Sequence, residues 1–233
     1  MFIRRADDRG HANHGWLNTH HTFSFASYYD PRFMGFGPLR VINEDRVAPG
    51  RGFGAHPHRD MEIISYVVDG ALEHRDSMGT GSVIRPGDLQ LMSAGSGVVH
   101  SEFNASKSDP VHFLQIWVQP RSHGSEPRYE QKSFAEQARG TLKLVVAPDG
   151  EDTDALTINQ DARLWRGLAR SGDTFEQPLQ GSHGWLQVVH GAVTVHDQQL
   201  AAGDGIAFDP NDAKLLTITS TDDSTEFLLF DMA

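Results

Sequence analysis

Residues 66–71 read Tyr66-Val67-Val68-Asp69-Gly70-Ala71, and residues 187–192 repeat the pattern as Gln187-Val188-Val189-His190-Gly191-Ala192. Further along, Arg85-Pro86-Gly87-Asp88 matches Ala201-Ala202-Gly203-Asp204. In both copies an apolar, β-branched run meets a glycine turn, and Gly-Asp marks the next corner. The offset falls from 121 to 116 residues, so the second copy has lost five residues from an intervening turn. Two ordered matches predict two copies of one β unit.

Short β-branched or aromatic runs, separated by Gly, Pro, Asp and Asn, recur along both copies at the spacing of strands. They are Leu39–Ile42, Glu62–Val68, Ser82–Ile84, Leu89–Met92, Phe113–Val118, Leu142–Val146, Gly184–Val189, Ala192–Val195, Leu215–Ile218 and Glu226–Phe230. The segment Tyr129–Ala138, with Gly140 as a stop, is the best candidate for a short helix. We therefore predict an all-β sandwich or barrel in two domains, residues 1–130 and 131–233, with a linker near residues 120–140.

The composition excludes several kinds of function. The 233 residues contain no Cys, which removes disulfides, thiolate catalysis, iron–sulfur clusters and sulfur-ligated zinc. A net charge of −11 argues against direct binding to nucleic acid or to an anionic membrane surface. No apolar run approaches the roughly 18 residues needed to span a bilayer, and the first residues do not read as a signal peptide. We expect a cytoplasmic protein whose metal, if any, is held by nitrogen and oxygen.

Two same-face pairs of side chains in the first copy have the spacing of metal ligands. His56-Pro57-His58 offers two imidazoles, and His100-Ser101-Glu102 offers an imidazole and a carboxylate. In a strand, residues i and i+2 point the same way with Cα atoms roughly 6.6–6.8 Å apart, so both imidazoles can reach one ion. Pro57 cannot donate to a ladder, which suits a strand start or a sheet edge. The pattern indicates a site with three His and one carboxylate.

The second copy lacks these four side chains. At the two offsets of the repeat they are replaced by Gln177, Leu179, Leu216 and Ile218. If the four residues were caps or polar groups of the core, the second copy would need them as well. The site is therefore an addition to the fold of the first copy.

The glycines and histidines of the first copy resemble the two motifs of the cupins. Gly50-x5-His56-x-His58-x3-Glu62 is similar to the first motif, and Gly97-x2-His100-x3-Asn104 is similar to the second. Gly95 stands where the family usually has Pro, and the step from Glu62 to Gly70 is one residue longer than usual. Longer matches resemble the pirins in particular. They are Gly10-His11-x2-His14-Gly15-Trp16-Leu17, His21-Thr22-Phe23-Ser24-Phe25-Ala26, Tyr29-Asp30-Pro31, Gly54–Glu62, His74-x-Asp76-Ser77-x-Gly79 and Met92–Glu102.

The resemblance implies a bicupin, two stacked β-barrels with one metal in the N-terminal barrel. His56, His58, His100 and Glu102 stand at the positions of the pirin ligands. Glu62 shares strand parity with the two His of the first pair and would face the metal if the strand ran on without a bulge. Because the pirin pattern favours Glu102, we expect Glu62 to orient a ligand His. His74 and Asp76 share a strand face, and we expect them to be structural groups near the site.

The resemblance also implies an activity. Nitrogen and oxygen ligands fit Fe(II), Mn, Co, Ni, Cu or Zn, and Fe(II) is the expected metal. Pirins resemble quercetinases, flavonol 2,3-dioxygenases that open the heterocycle with loss of carbon monoxide. Glu102 is then the catalytic base that takes the 3-hydroxyl proton, and the partners are dioxygen and a flavonol such as quercetin. We expect a monomer.

Two other hypotheses stay open at this stage. Some pirins are described as partners of transcription regulators. On this hypothesis the chain is a redox sensor, and the oxidation state of its metal changes a surface; no partner surface is visible in the sequence. The same site can also serve an oxygenase or isomerase with another substrate. Carbon monoxide release from quercetin distinguishes the enzyme hypothesis from both.

Overall fold

The computed structural model describes residues 1–152, 154–209 and 214–233. Over these residues the chain forms 22 strands and one 3₁₀ turn, Ala6–Asp8, so the prediction of an all-β fold is confirmed. The strands are β1 Phe2–Arg4, β2 Gly10–Asn13, β3 Leu17–His21, β4 Leu39–Val47, β5 Gly52–His58, β6 Glu62–Asp69, β7 Leu72–Asp76, β8 Gly81–Ile84, β9 Asp88–Ser93, β10 Val98–Asn104, β11 Val111–Val118, β12 Arg128–Ser133, β13 Thr141–Pro148, β14 Leu156–Ile158, β15 Ala162–Ala169, β16 Thr174–Pro178, β17 His183–His190, β18 Ala192–Val195, β19 Gln198–Ala201, β20 Gly205–Phe208, β21 Leu215–Ser220 and β22 Thr225–Met232. No helix in the described part of the chain is long and apolar enough to cross a bilayer.

The chain divides into two compact units. The first comprises residues 10–135 and 156–160, and the second comprises residues 1–9, 136–155 and 161–233. In the first unit the larger sheet has the order β12-β9-β6-β11-β4-β3-β2, and the smaller has the order β5-β10-β7-β8. In the second unit the strands follow the orders β1-β20-β17-β22-β15-β13 and β16-β21-β18-β19. The two units therefore share one strand order, as the internal repeat predicts.

The glycine turn of the repeat is required in both copies. Gly70 has φ +81°, and a Cβ there would lie 2.8 Å from the Pro110 carbonyl oxygen. Gly191 has φ +72°, and a Cβ there would lie 2.7 Å from the Ser224 carbonyl oxygen. A side chain is disfavoured by the left-handed backbone and by the contact, which explains why glycine recurs at this turn.

The Gly-Asp corners also have the same hydrogen bonds. Asp88 Oδ2 accepts from the Arg85 N–H at 3.1 Å, and Asp204 Oδ2 accepts from the Ala201 N–H at 3.2 Å. Asp204 has additional partners, because Oδ1 accepts from the Ala6 N–H at 2.7 Å and Oδ2 accepts from Arg5 at 2.8 Å. This carboxylate therefore holds residues 5 and 6 to the rest of the second unit, where β1 pairs with β20.

Replacing Asp204 by Ala is expected to destabilise the protein by about 1–3 kcal/mol, because the Ala6 N–H and the Ala201 N–H lose their acceptor in a buried corner. The matched control is Asp88→Ala, which removes a single hydrogen bond and is expected to cost about 0.5–1.5 kcal/mol. Urea unfolding followed by circular dichroism measures both. Equal losses would show that the contacts to residues 5 and 6 contribute nothing.

All ten predicted strands are present, but the predicted helix is wrong. The first five residues of the segment Tyr129–Ala138 belong to β12, Arg128–Ser133, which pairs antiparallel with β9 from Arg128↔Ser93 to Ser133↔Asp88. A ten-residue helix is marginal in water by itself, whereas this segment completes the open edge of β9. Gly140 lies in a turn with φ +82°, and its N–H donates to the Leu168 carbonyl.

Candidate metal centre

Three imidazoles converge between neighbouring strands of the first unit. His56 and His58 lie on β5 and His100 lies on β10, where the register pairs His100 with His56. The Nε2 atoms of His56 and His100 are 3.0 Å apart, and the ring of His58 lies 4.8 Å from each of the other two. Two nitrogens bound at right angles to one ion, each at about 2.1 Å, are also about 3.0 Å apart. The spacing of this trio fits the donor set of a single transition metal ion.

A β-bulge in β5 orients the first imidazole. His100 pairs with His56 but Glu102 pairs with Phe53, so β5 carries one extra residue at this point. The bulge turns the Gly54 carbonyl toward the ring of His56, whose Nδ1–H donates to it at 2.7 Å. The proton is therefore on Nδ1, and the lone pair of Nε2 points at the other imidazoles. Bulges that re-aim a side chain are common beside functional sites.

Two of the three imidazoles, those of His58 and His100, have lowered pKa values that favour the neutral form that metals bind. Burial, with a smaller contribution from His56, lowers the pKa of His58 to about 4. Burial, together with the three neighbouring His, lowers the pKa of His100 to about 2. Neutral imidazoles need not lose a proton before they bind a cation.

The fourth predicted ligand, Glu102, lies beside His100 but is held by other groups. Its side chain is buried, with Oε1 accepting from Ser65 Oγ at 3.0 Å and Oε2 accepting from Gln115 Nε2 at 2.6 Å. The carboxylate lies within 4.8 Å of ligating atoms of His100 and His74. Burial raises the pKa of Glu102, and the hydrogen bond from Gln115 opposes that rise. A buried carboxylate with a raised pKa is suited to accept a proton.

The expectation that Glu62 orients a histidine is wrong. Its Oε2 accepts from Ser93 Oγ at 2.7 Å and from the Asn159 N–H at 3.2 Å. The strand does not run on from His58, because residues 59–61 lie between β5 and β6 and Asp60 has φ +49°. Because of this break, the alternation of side-chain faces does not continue from His58 to Glu62, and it no longer predicts that Glu62 faces the metal.

Two comparisons by sequence place the chain among known proteins. A family model described as Pirin matches residues 3–118, and one described as the quercetinase C-terminal cupin domain matches residues 144–232. Over 233 residues the chain is 46% identical to the quercetin 2,3-dioxygenase of Escherichia coli K12, covering 100% of this chain and 98% of that protein. It is also 42% identical to a pirin-like protein of Caulobacter vibrioides, with full coverage of both.

The chain belongs to the pirin family.

Solved pirin structures have the same fold. The crystal structure of YhhW from Escherichia coli matches with a TM-score of 0.94 at 45% identity, covering 100% of this chain and 97% of that one. A structure of bacterial pirin YhhW in complex with nickel(II) matches with a TM-score of 0.93, covering 99% and 98%. The expected family and the all-β cupin fold are confirmed.

The second unit of this pirin fills the equivalent space with apolar side chains. Gln177 pairs with Leu216 in β16 and β21, just as His56 pairs with His100 in β5 and β10. Leu216 and Ile218 are fully buried in the hydrophobic core of this unit. Leu216 and Ile218, which correspond to His100 and Glu102 in the repeat, therefore offer no ligand atoms.

Sequence reasoning missed the residues that support the site. Ser65 and Gln115, which bind Glu102, lie on β6 and β11 and give no motif. His74 and Asp76, which the sequence predicts to be structural groups near the site, are in hydrogen-bond contact beside His100. A cavity of about 420 Å³ is lined in part by His58.

Proposed function

We propose that this pirin is a metal-dependent flavonol 2,3-dioxygenase, which opens a flavonol such as quercetin and releases carbon monoxide. The convergence of three imidazoles beside a buried carboxylate carries the proposal. The named activity of the 46% identical relative supports the choice of substrate. The protein would act as a cytoplasmic monomer, using dioxygen and a flavonol-like molecule, without contacting nucleic acid.

His56, His58 and His100 would hold the metal, with Glu102 as the fourth ligand. We propose Fe(II), and the nickel(II) complex of YhhW supports a divalent transition metal in this family. The metal-binding function would belong to the N-terminal domain, residues 1–130, and residues 131–233 would form a degenerate cupin without ligands. When bound, the metal supplies Lewis acidity toward the flavonol oxygens and a place for dioxygen.

Glu102 would accept the proton of the flavonol 3-hydroxyl. Its burial raises its pKa, which favours proton uptake by the carboxylate. Ser65 and Gln115 bind one oxygen each, so the carboxylate is held in one orientation. The cavity that is lined in part by His58 is the proposed route by which a small molecule would approach the imidazoles.

The test is the yield of carbon monoxide. The protein is reconstituted anaerobically with Fe(II) or with Ni(II), its metal content is measured, and quercetin and air are added. We expect nearly one carbon monoxide per flavonol consumed, and none from a His100→Ala control. No carbon monoxide release from protein shown to hold its metal would overturn the proposal. It would favour the redox-sensor hypothesis or an enzyme with another substrate.

A further inference from the structure

A chain of buried side chains continues from His100 away from the three imidazoles. His100 Nδ1 lies 3.4 Å from His74 Nδ1, and His74 Nε2 lies 3.0 Å from Asp76 Oδ2. The side chains of His74 and Asp76 are fully buried, and His100 is 2% exposed. Neither His74 nor Asp76 belongs to the three-imidazole group.

The hydrogen bonds of Asp76 set the order of the protons along this chain when His74 and His100 are both neutral. Oδ1 accepts from the N–H groups of Met78 and Thr80, at 2.9 and 3.0 Å. A carboxylate oxygen can only accept, so His74 Nε2 carries a proton and donates it to Oδ2. In neutral His74 the remaining nitrogen, Nδ1, is an acceptor. His100 Nδ1 must then carry its proton toward His74, and the lone pair of His100 is left on Nε2.

The result is two lone pairs facing each other. His100 Nε2 points at His56 Nε2 across 3.0 Å, and His56 carries its own proton on Nδ1, toward Gly54. Two acceptors at this distance repel each other unless a cation lies between them. The proton order set at Asp76 therefore prepares His100 for a metal before any metal arrives.

We propose that Asp76 and His74 are positioning residues, which select the Nδ1–H tautomer of His100 and so present its Nε2 to the metal. This inference rests on the metal site of the proposed function. It adds the pair of side chains that leaves the Nε2 lone pair of His100 available to the metal. Replacing one carboxylate oxygen of Asp76 by an NH₂ group reverses the donor and the acceptor in each contact of this chain, and this substitution is the test.

The decisive variant is Asp76→Asn. The two backbone N–H groups of Met78 and Thr80 require the amide oxygen, so the NH₂ group faces His74 Nε2 and donates to it. His74 then carries its proton on Nδ1 and donates to His100, whose own proton moves to Nε2, where the metal would bind. We expect Zn(II) affinity to fall by about 10–100-fold, as for other groups that orient metal ligands.

The first measurement uses metal-free protein labelled with ¹⁵N-histidine. Long-range ¹H–¹⁵N spectra distinguish the two tautomers, and a His100→Gln variant identifies the signals of His100. We expect Nδ1–H for His100 in the wild type and Nε2–H in Asp76→Asn. Wild-type His100 protonated on Nε2 would overturn the proposal, even if the protein binds no metal. The failure of the metal site and the failure of this inference are therefore separable.

The second measurement is Zn(II) affinity by competition with a chelator. The matched control is Glu44→Gln, which makes the same change in a pair outside the site, where His112 Nε2 lies 2.9 Å from Glu44 Oε1. It should leave both affinity and the His100 tautomer unchanged. His74→Phe breaks the chain without inverting it and should lose less affinity than Asp76→Asn. It also keeps the test open if Asp76→Asn does not fold. An equal or greater loss in His74→Phe would contradict the inversion.

Discussion

Replacing Glu102 by Gln is expected to lower the turnover of a flavonol by about 10²–10⁴-fold, the usual contribution of a positioned general base. An amide of the same shape can still meet Ser65 and Gln115, because its oxygen can accept from Gln115 Nε2 while its NH₂ group donates to Ser65 Oγ. The fold and the three imidazoles should therefore survive. What is lost is the ability to take a proton.

The experiment measures quercetin consumption and carbon monoxide release per metal ion, so that any loss of metal is corrected for. Glu62→Gln is the matched control, since Glu62 is an equally buried glutamate that binds Ser93 and Asn159. Its turnover per metal ion should remain close to that of the wild type. Full turnover by metal-loaded Glu102→Gln would rule out the base role.

Removing the whole carboxylate should release the metal. In Glu102→Ala we expect metal affinity to fall by more than about 100-fold, beyond the range typical of groups that only orient a ligand. In Glu62→Ala we expect less than about a 10-fold change, because the side chain binds a serine and a backbone N–H and no ligand histidine. Competition with a chelator, in protein shown to be folded by circular dichroism, measures both. Equal losses would remove Glu102 from the ligand set.

The parts of the fold that could be predicted are those where local sequence decides. Gly70 and Gly191 are required by a left-handed turn, and Asp88 and Asp204 accept the same hydrogen bond at the following corner. The same residue types therefore recur in both copies and make the repeat visible in the sequence. The two-residue alternation of a strand likewise indicated that His56 and His58 lie on one face. The register then brings His100 opposite His56, as two same-face pairs require.

The remaining features depend on contacts that are distant in sequence. The segment at Tyr129 is a strand because it pairs with the open edge of β9. The sequence of the segment itself does not indicate that this edge is available. The break after His58 and the bulge at Gly54 change which way side chains point. The two-residue alternation of a regular strand therefore cannot predict those directions. The acceptors and donors around Glu102 come from β6 and β11, whose residues read as ordinary strand positions.

The pairing of β1 with β20 also affects the order of folding. In the first unit the edge of β9 is covered by β12, about 40 residues later in the chain. In the second unit the matching edge of β20 is covered by β1, about 200 residues earlier, so a much longer loop must close. Contacts between such distant segments form slowly, and until β1 docks the edge of β20 is an open strand that can pair with another molecule. Refolding of this protein should therefore be most prone to aggregation in the interval before its first residues return to the sheet.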